Sequence, residues 1–195
     1  MLRTASEYVI AYNKVDFSDV SDTAWYANAV TFLAAREITG GTSADTFSTD
    51  STLTRWQFIT LVMRAYGIAS DENPTDNFTD AGDTYYTGYL AAAKRLGISS
   101  GIGDNKFAPE RAITRQEMFT LLYNALKVLD KLPEGSSGKA LSDFKDSDSV
   151  ASYAQEAISN LVKTGVVSGN DGLLLPTGTT TRAQMAQVLY NLLSK

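Results

Sequence analysis

Three observations predict an all-α chain made of three helix-loop-helix modules. A four-residue phrase, Thr-Arg-x-Gln/Glu, occurs at Thr54-Arg55-Trp56-Gln57, Thr114-Arg115-Gln116-Glu117 and Thr181-Arg182-Ala183-Gln184. Each copy opens an apolar run of helical period. Each is preceded, 36 or 37 residues upstream, by Phe-x-Asp, at Phe17-Ser18-Asp19, Phe78-Thr79-Asp80 and Phe144-Lys145-Asp146. Elements recurring in fixed order mean that one supersecondary unit is used three times.

Within each unit a first helix follows Phe-x-Asp. Trp25/Val30/Leu33, Tyr85/Leu90/Ala93 and Tyr153/Ile158/Leu161 share offsets that place one apolar stripe on one side of it. Asp22, Asp83 and Ser149 are its candidate N-caps. Gly97-Ile98 and Gly165-Val166 fit a left-handed C-cap followed by an apolar contact. The first unit has Glu37-Ile38 there and is expected to terminate through Gly40-Gly41 instead.

A loop of about a dozen residues comes next, with Gly40, Gly101 and Gly169 taken as equivalent and Phe47, Phe107 and Leu175 as anchors. The second helix starts at the Thr. Counting from it, positions 4, 7, 8, 11 and 12 are apolar in all three copies, from Phe58 to Tyr66, Met118 to Leu126 and Met185 to Leu193. Such a face is core. The modules are therefore placed at residues 17–66, 78–126 and 144–193, joined by linkers that contain Pro74, Pro133 and Gly135-Ser136-Ser137-Gly138. Residues 1–16 fall outside the repeat; Leu2, Val9, Tyr12 and Val15 are compatible with a short helix packed on the rest.

Composition narrows the chemistry. A net charge of −5 argues against nucleic acid, which requires a basic face, but leaves room for a local anion pocket. Cysteine and histidine are absent, which removes disulfides, thiol nucleophiles, ordinary zinc sites and His-based acid–base catalysis. No apolar run is long enough to cross a membrane. Val9-Ile10-Ala11 is too short for a signal-peptide core, so an exported form of this sequence would be a mature or excised fragment.

The phrase itself has a structural and a chemical side. Thr with Gln/Glu three residues later forms a capping box, assigning Thr54, Thr114, Thr181, Gln57, Glu117 and Gln184 to helix initiation. The arginine is not explained by this, because a cation in the first turn opposes the helix dipole. Two alternatives fit Arg55, Arg115 and Arg182. One is a buried ion pair with Asp19, Asp80 or Asp146. The other is an anion site, in which free amides at the helix N-terminus and a guanidinium fork meet a carboxylate or phosphate, with loop glycines admitting close approach.

Phe-x-Asp, an aromatic-led helix, a Gly-Ile turn, a loop Gly, Phe/Leu and then Thr-Arg-x-Gln/Glu together resemble the S-layer homology family, across about residues 15 to 194. The closest copy to the family phrase is Ile113-Thr114-Arg115-Gln116-Glu117. The resemblance implies a pseudo-threefold arrangement of modules in one monomeric chain with grooves between neighbours. It implies non-covalent anchoring to a Gram-positive cell wall, through secondary cell-wall polysaccharide ending in N-acetylmannosamine with a pyruvate ketal. By position, Arg55, Arg115 and Arg182 would meet the ketal carboxylate, and Gly40, Gly101 and Gly169 would admit the sugar. No catalytic residue, cofactor or metal is called for. Trp25, Tyr85 and Tyr153 are assigned to the core rather than to the groove.

Departures from the pattern are Trp56 beside the first Arg, Gln57 and Gln184 for Glu, and Glu37 for the turn Gly. They favour the grooves of Arg115 and Arg182 over that of Arg55. Rival classes are weaker. No close unlike pair of carboxylates supports a glycosidase, and the run Asp143, Asp146, Asp148 lacks the Gly and closing Glu of a calcium loop. A helical-repeat scaffold for a protein partner explains the core but gives the arginines no task. If the arginines act on ligand, replacing Arg115 or Arg182 with Ala is expected to weaken binding and leave the melting temperature nearly intact.

Overall fold

The computed structural model describes residues 15–194. The helix expected over Leu2, Val9 and Tyr12 lies outside these residues, while Val15 packs against the core. Six α-helices follow in order: α1 (Ala27–Ala35), α2 (Arg55–Ala65), α3 (Thr87–Arg95), α4 (Arg115–Val128), α5 (Gln155–Lys163) and α6 (Arg182–Leu193). Among the described residues there is no sheet, and extended pairing is confined to isolated bridges such as Thr52–Thr181, Thr54–Ala112 and Thr114–Thr179. The chain is helix-rich, as its periodicity requires.

The second helices behave as the repeat dictates. Thr54, Thr114 and Thr181 each accept from the N3 amide, and the Gln57, Glu117 and Gln184 side chains return to the cap amide. None of the fifteen repeated apolar positions is exposed, and Phe58, Val62, Met118, Leu122, Met185 and Leu189 are fully buried. Fully burying such a side chain contributes about 1.5–3 kcal/mol, so this face anchors each helix to the common core.

The first helices begin later than the sequence suggests. Their N-cap positions are Tyr26, Tyr86 and Ala154, without side-chain caps, and not Asp22, Asp83 and Ser149. Trp25, Tyr85 and Tyr153 consequently precede the helices and are 62%, 65% and 56% exposed, so they are not core residues. At the other end, Gly97 and Gly165 take positive φ while Ile98 and Val166 donate back to Ala93 O and Leu161 O. Glu37 adopts the same left-handed conformation at φ 57°, with Ile38 N–H donating to Leu33 O. The first unit thus ends like the others, and Gly40-Gly41 is not its terminator. A side chain bearing Cβ is strained in that conformation, by about 1–2 kcal/mol.

The helices that pack together belong to different modules. The principal pairs are α2 with α3, α4 with α5, and α1 with α6, with α2 also against α4. Phe32 of α1 meets Tyr190 of α6 edge-on at 5.1 Å, and Tyr123 Oη of α4 donates to Glu156 of α5 at 2.7 Å. Each second helix therefore completes its burial against the first helix of the following module, and α6 closes on α1.

At the centre lie the residues just before the three cap threonines. Leu53 N–H donates to Thr180 O at 2.9 Å, Thr180 N–H to Ile113 O at 3.2 Å, and Ile113 N–H to Leu53 O at 2.9 Å. This closed triangle of backbone bonds is fully buried, so each donor and acceptor has to be satisfied within the protein. Thr180 stands where the other modules have Leu53 and Ile113. Its hydroxyl is buried and has no partner among the described residues, a costly arrangement for a polar group.

Two substitutions test this description by urea denaturation. Thr180→Val keeps the shape, removes the orphaned hydroxyl and is expected to stabilise the protein by about 1–3 kcal/mol; a loss of stability would mean that the hydroxyl is satisfied. Glu37→Gly relieves the left-handed strain and is expected to add about 1 kcal/mol. An unchanged midpoint would show that this turn is not strained.

Candidate functional site: three inter-module grooves

The Phe-x-Asp aspartates fix the loops that build the site. Both oxygens of Asp19 accept backbone amides, from Phe47 at 2.8 Å and Ser48 at 2.6 Å. Asp80 does the same for Phe107 and Ala108, and Asp146 for Leu174 and Leu175. Burial raises the pKa of Asp19 and Asp80, but the amide bonds outweigh it and hold both below the ordinary 3.8. The third anchor is therefore Leu174, which is fully buried, and not Leu175, which is 51% exposed. With both carboxylate oxygens engaged on one loop, Asp146 serves the fold.

The motif arginines act on these same loops, but across a module boundary. Arg55 Nε donates to Phe107 O, Arg115 Nε to Leu174 O and Arg182 Nε to Phe47 O, each at 2.7 Å. The anchor residue is thus held at its amide by its own module's aspartate and at its carbonyl by another module's arginine. Each arginine meets the loop through the anchor carbonyl rather than through Asp19, Asp80 or Asp146, whose oxygens hold the amides. Arg55 and Arg182 also lie over the rings of Phe107 and Phe47, at 4.6 and 4.7 Å.

No helix-terminal amide is left for an anion at these positions. The N1 and N2 amides of α2 donate to Arg111 O and Pro109 O, those of α4 to Gly178 O and Pro176 O, and those of α6 to Ser51 O and Thr49 O. The N3 amides belong to the cap hydroxyls of Thr54, Thr114 and Thr181. An anion would have to be read by the guanidinium Nη atoms rather than by the helix terminus.

Three grooves of one construction result. The first, about 370 Å³, combines loop residues Thr39–Thr42, the α2 face carrying Gln57, Thr60 and Arg64, Tyr85 from the second module and Arg182 from the third. The second, about 610 Å³, combines residues 98–102, the α4 face with Glu117, Thr120 and Asn124, Tyr153 of the third module and Arg55 of the first. The third, about 570 Å³, combines residues 166–170, the α6 face with Gln184, Gln187 and Asn191, Trp25 of the first module and Arg115 of the second.

Each arginine therefore serves a groove whose loop and helix belong to another module. Trp56 and Gln57 lie with Arg182 and not with Arg55, so the departures in the first unit bear on a different arginine from the one next to them in sequence. Trp56 stacks on Tyr86 at 4.7 Å and meets Tyr85 edge-on at 5.3 Å, forming an aromatic wall. The threonines of the phrase are engaged in capping. Lys94 and Arg95 pair with Asp76 and Asp71 of the preceding linker.

The loop glycines pack against protein. A Cβ on Gly101 would lie 2.2 Å from Lys106 O and 2.8 Å from the Phe78 ring, and Gly169 is as tightly enclosed by Phe144. Their structural counterpart is Gly41, at φ 81° and with Phe17 at 2.7 Å, whereas a Cβ on Gly40 would meet nothing. Both Gly40 and Gly41 line the first groove. The repeated glycine is needed for the approach of the Phe-x-Asp ring.

Electrostatics differ among the grooves. Burial lowers the pKa of Arg55, Arg115 and Arg182 from the ordinary arginine value, and guanidinium nonetheless stays charged. In the second groove Glu117 Oε1 lies 3.2 Å from Arg55 Nη1 and also accepts from Arg111. Burial raises the Glu117 pKa, but the Thr114 amide, Arg111 and Arg55 prevail and leave it lowered. In the first groove Arg182 is 5% exposed and its Nη2 has no partner among the described residues; neither has Thr60 Oγ1 in the same groove.

Repeat spacing did not reveal Arg111 or the aromatic wall. Arg111 corresponds to Ser51 and Gly178, so nothing recurs there. The exposed aromatics do recur, but at offsets that read as a helix stripe.

The chain belongs to the S-layer homology domain family, which it matches three times, over residues 16–59, 77–119 and 143–186. Domains of this family anchor S-layer and other surface proteins to the cell wall. Over 193 residues the chain is 31% identical to an amylopullulanase of Thermoanaerobacterium thermosulfurigenes, spanning 97% of this chain and 10% of that protein. It is 29% identical to the exoglucanase XynX of Acetivibrio thermocellus over 198 residues, or 100% of this chain and 18% of the relative. The S-layer protein sap of Bacillus anthracis is 27% identical over 173 residues, 89% of this chain and 20% of its own length. The chain thus spans only a tenth to a fifth of these relatives, and the enzymes among them match through that portion alone.

The Nε bond revises what an alanine substitution should do. Arg182→Ala removes the charged donor from Phe47 O as well as any groove function, so a destabilisation of about 1.5–3 kcal/mol is expected. Chemical denaturation measures it; an unshifted midpoint would mean that the arginine does not hold the loop.

Proposed function

We propose that this chain anchors its parent protein non-covalently to a Gram-positive cell wall. It does so as a monomer by binding secondary cell-wall polysaccharide in the grooves between modules arranged with pseudo-threefold symmetry. The residue read most directly is a terminal N-acetylmannosamine carrying a pyruvate ketal. Recognition occurs without turnover.

The observation that carries this reading is the partnerless Arg182 Nη2, buried in a groove beside the partnerless Thr60 Oγ1. A buried guanidinium N–H without an acceptor is costly, and a carboxylate entering the groove would satisfy it with a charge-assisted bond. The Nε bond to Phe47 O fixes the orientation of the fork in advance, so little side-chain entropy is lost on binding. The neutral part of a sugar suits the rest of the groove, where Trp56 and Tyr85 offer aromatic surface and the Thr39–Thr42 loop offers polar backbone. Corresponding roles fall to Arg55 with Tyr153 and Gly101, and to Arg115 with Trp25 and Gly169.

Calorimetric titration with a pyruvylated N-acetylmannosamine fragment, beside the same sugar lacking the ketal, tests the reading. Binding confined to the pyruvylated form is expected. Equal binding of both would remove the carboxylate from recognition, and binding of neither would sink the glycan reading in favour of a protein partner.

A further inference from the structure

Among the differences between the three grooves, one falls on a terminal atom of a repeated side chain that lines each of them. The N3 residue of each second helix has two terminal atoms. One accepts the cap amide: Gln57 Oε1 from Thr54 at 3.0 Å, Glu117 Oε2 from Thr114 at 3.0 Å, Gln184 Oε1 from Thr181 at 3.3 Å. Capping therefore fixes the amide orientation of both glutamines, since only the oxygen can accept. The second terminal atom is then a donor NH2 on Gln57 and Gln184, but an acceptor oxygen on Glu117. In the second groove that oxygen is the one that meets Arg55 at 3.2 Å and Arg111.

We infer that the N3 side chain is the selector of groove occupancy: Gln57 and Gln184 leave the grooves of Arg182 and Arg115 open to a carboxylate, and Glu117 closes the groove of Arg55. The inference rests on the proposed glycan reading and refines it. An incoming carboxylate at Arg55 has to share the guanidinium with Glu117, which already holds Nη1 and also caps α4, and would face that carboxylate as a like charge. At Arg182 it meets a partnerless Nη2 and a neutral amide donor instead. Arg64 adds a second cation to the lining of the first groove, where the other grooves have Asn124 and Asn191 hydrogen-bonded to loop carbonyls; the second cation of the second groove, Arg111, is itself paired with Glu117. The largest groove is therefore not the one expected to bind best.

The repeat supplies its own controls, because Gln and Glu both complete the capping box in this fold. The chain's two tryptophans are Trp56, lining the first groove, and Trp25, lining the third. Trp25→Phe leaves a fluorophore reporting the first groove alone, and Trp56→Phe leaves one reporting the third. The probe is the pyruvylated N-acetylmannosamine fragment, titrated by fluorescence and calorimetry, with circular dichroism confirming the fold of each variant.

Wild-type protein is expected to bind two equivalents, with both tryptophans responding. Gln57→Glu should weaken the first groove at least about tenfold, silencing Trp56 and leaving Trp25 unchanged. Glu117→Gln should add a third equivalent without altering either tryptophan response. Three equivalents in the wild type, an unchanged count in Glu117→Gln, or a retained Trp56 response in Gln57→Glu would each overturn the selector. If Glu117→Gln fails to fold, Gln57→Glu decides alone. Absence of binding in every variant would instead reject the glycan reading, and the selector with it.

Discussion

The first two amides of α2, α4 and α6 donate to loop carbonyls of another module, at 2.9–3.1 Å, and the adjacent arginine donates its Nε to the same loop. A helix ordinarily leaves such amides to solvent or to caps. Here the loop of one module completes the helix start of another, and the central triangle of Leu53, Ile113 and Thr180 locks the three starts together. A single helix-loop-helix unit would leave these donors without acceptors and its helix face uncovered. The requirement for a neighbour is thus written into the backbone as well as into the apolar stripe.

That arrangement also produces the grooves and sets their charge. Each guanidinium is held at Nε by a peptide carbonyl and lies over an aromatic face, and each arginine lines a groove between modules. Burial lowers its pKa, yet arginine retains its proton where lysine would release it more readily. The first-turn cation, unfavourable for its own helix dipole, is explained by its partner on a different module. Stability and recognition share this residue, so loss of affinity on substitution does not by itself separate the two.

The copies tolerate different local irregularities. Glu37, Ser48, Ala108 and Leu175 all take positive φ without being glycine. For the last three the cause is visible: each amide, with the one before it, is clasped by a Phe-x-Asp carboxylate. Two charge-assisted bonds offset a strain of about 1–2 kcal/mol. The unit is over-determined enough for a single position to deviate without changing the fold.

The sequence by itself determined the helices and their caps. Period and capping are local properties, and Thr54, Thr114 and Thr181 form the predicted boxes with the predicted apolar faces buried. Repetition likewise singled out the arginines as residues with a purpose beyond their own helix. Local signals went astray where an offset had two meanings, as with Trp25, Tyr85 and Tyr153, which share a helix spacing yet precede the helices and stand exposed. Gly40 was matched in place of Gly41 because the need for glycine comes from the approaching Phe17 ring. Only the tertiary structure decided which arginine lines which groove, that the helix amides are already taken, and that Glu117 pairs with Arg55. Those facts depend on chain segments 52 to 135 residues apart meeting in space, and a pattern repeated along one chain carries no information about which copy its neighbour will be.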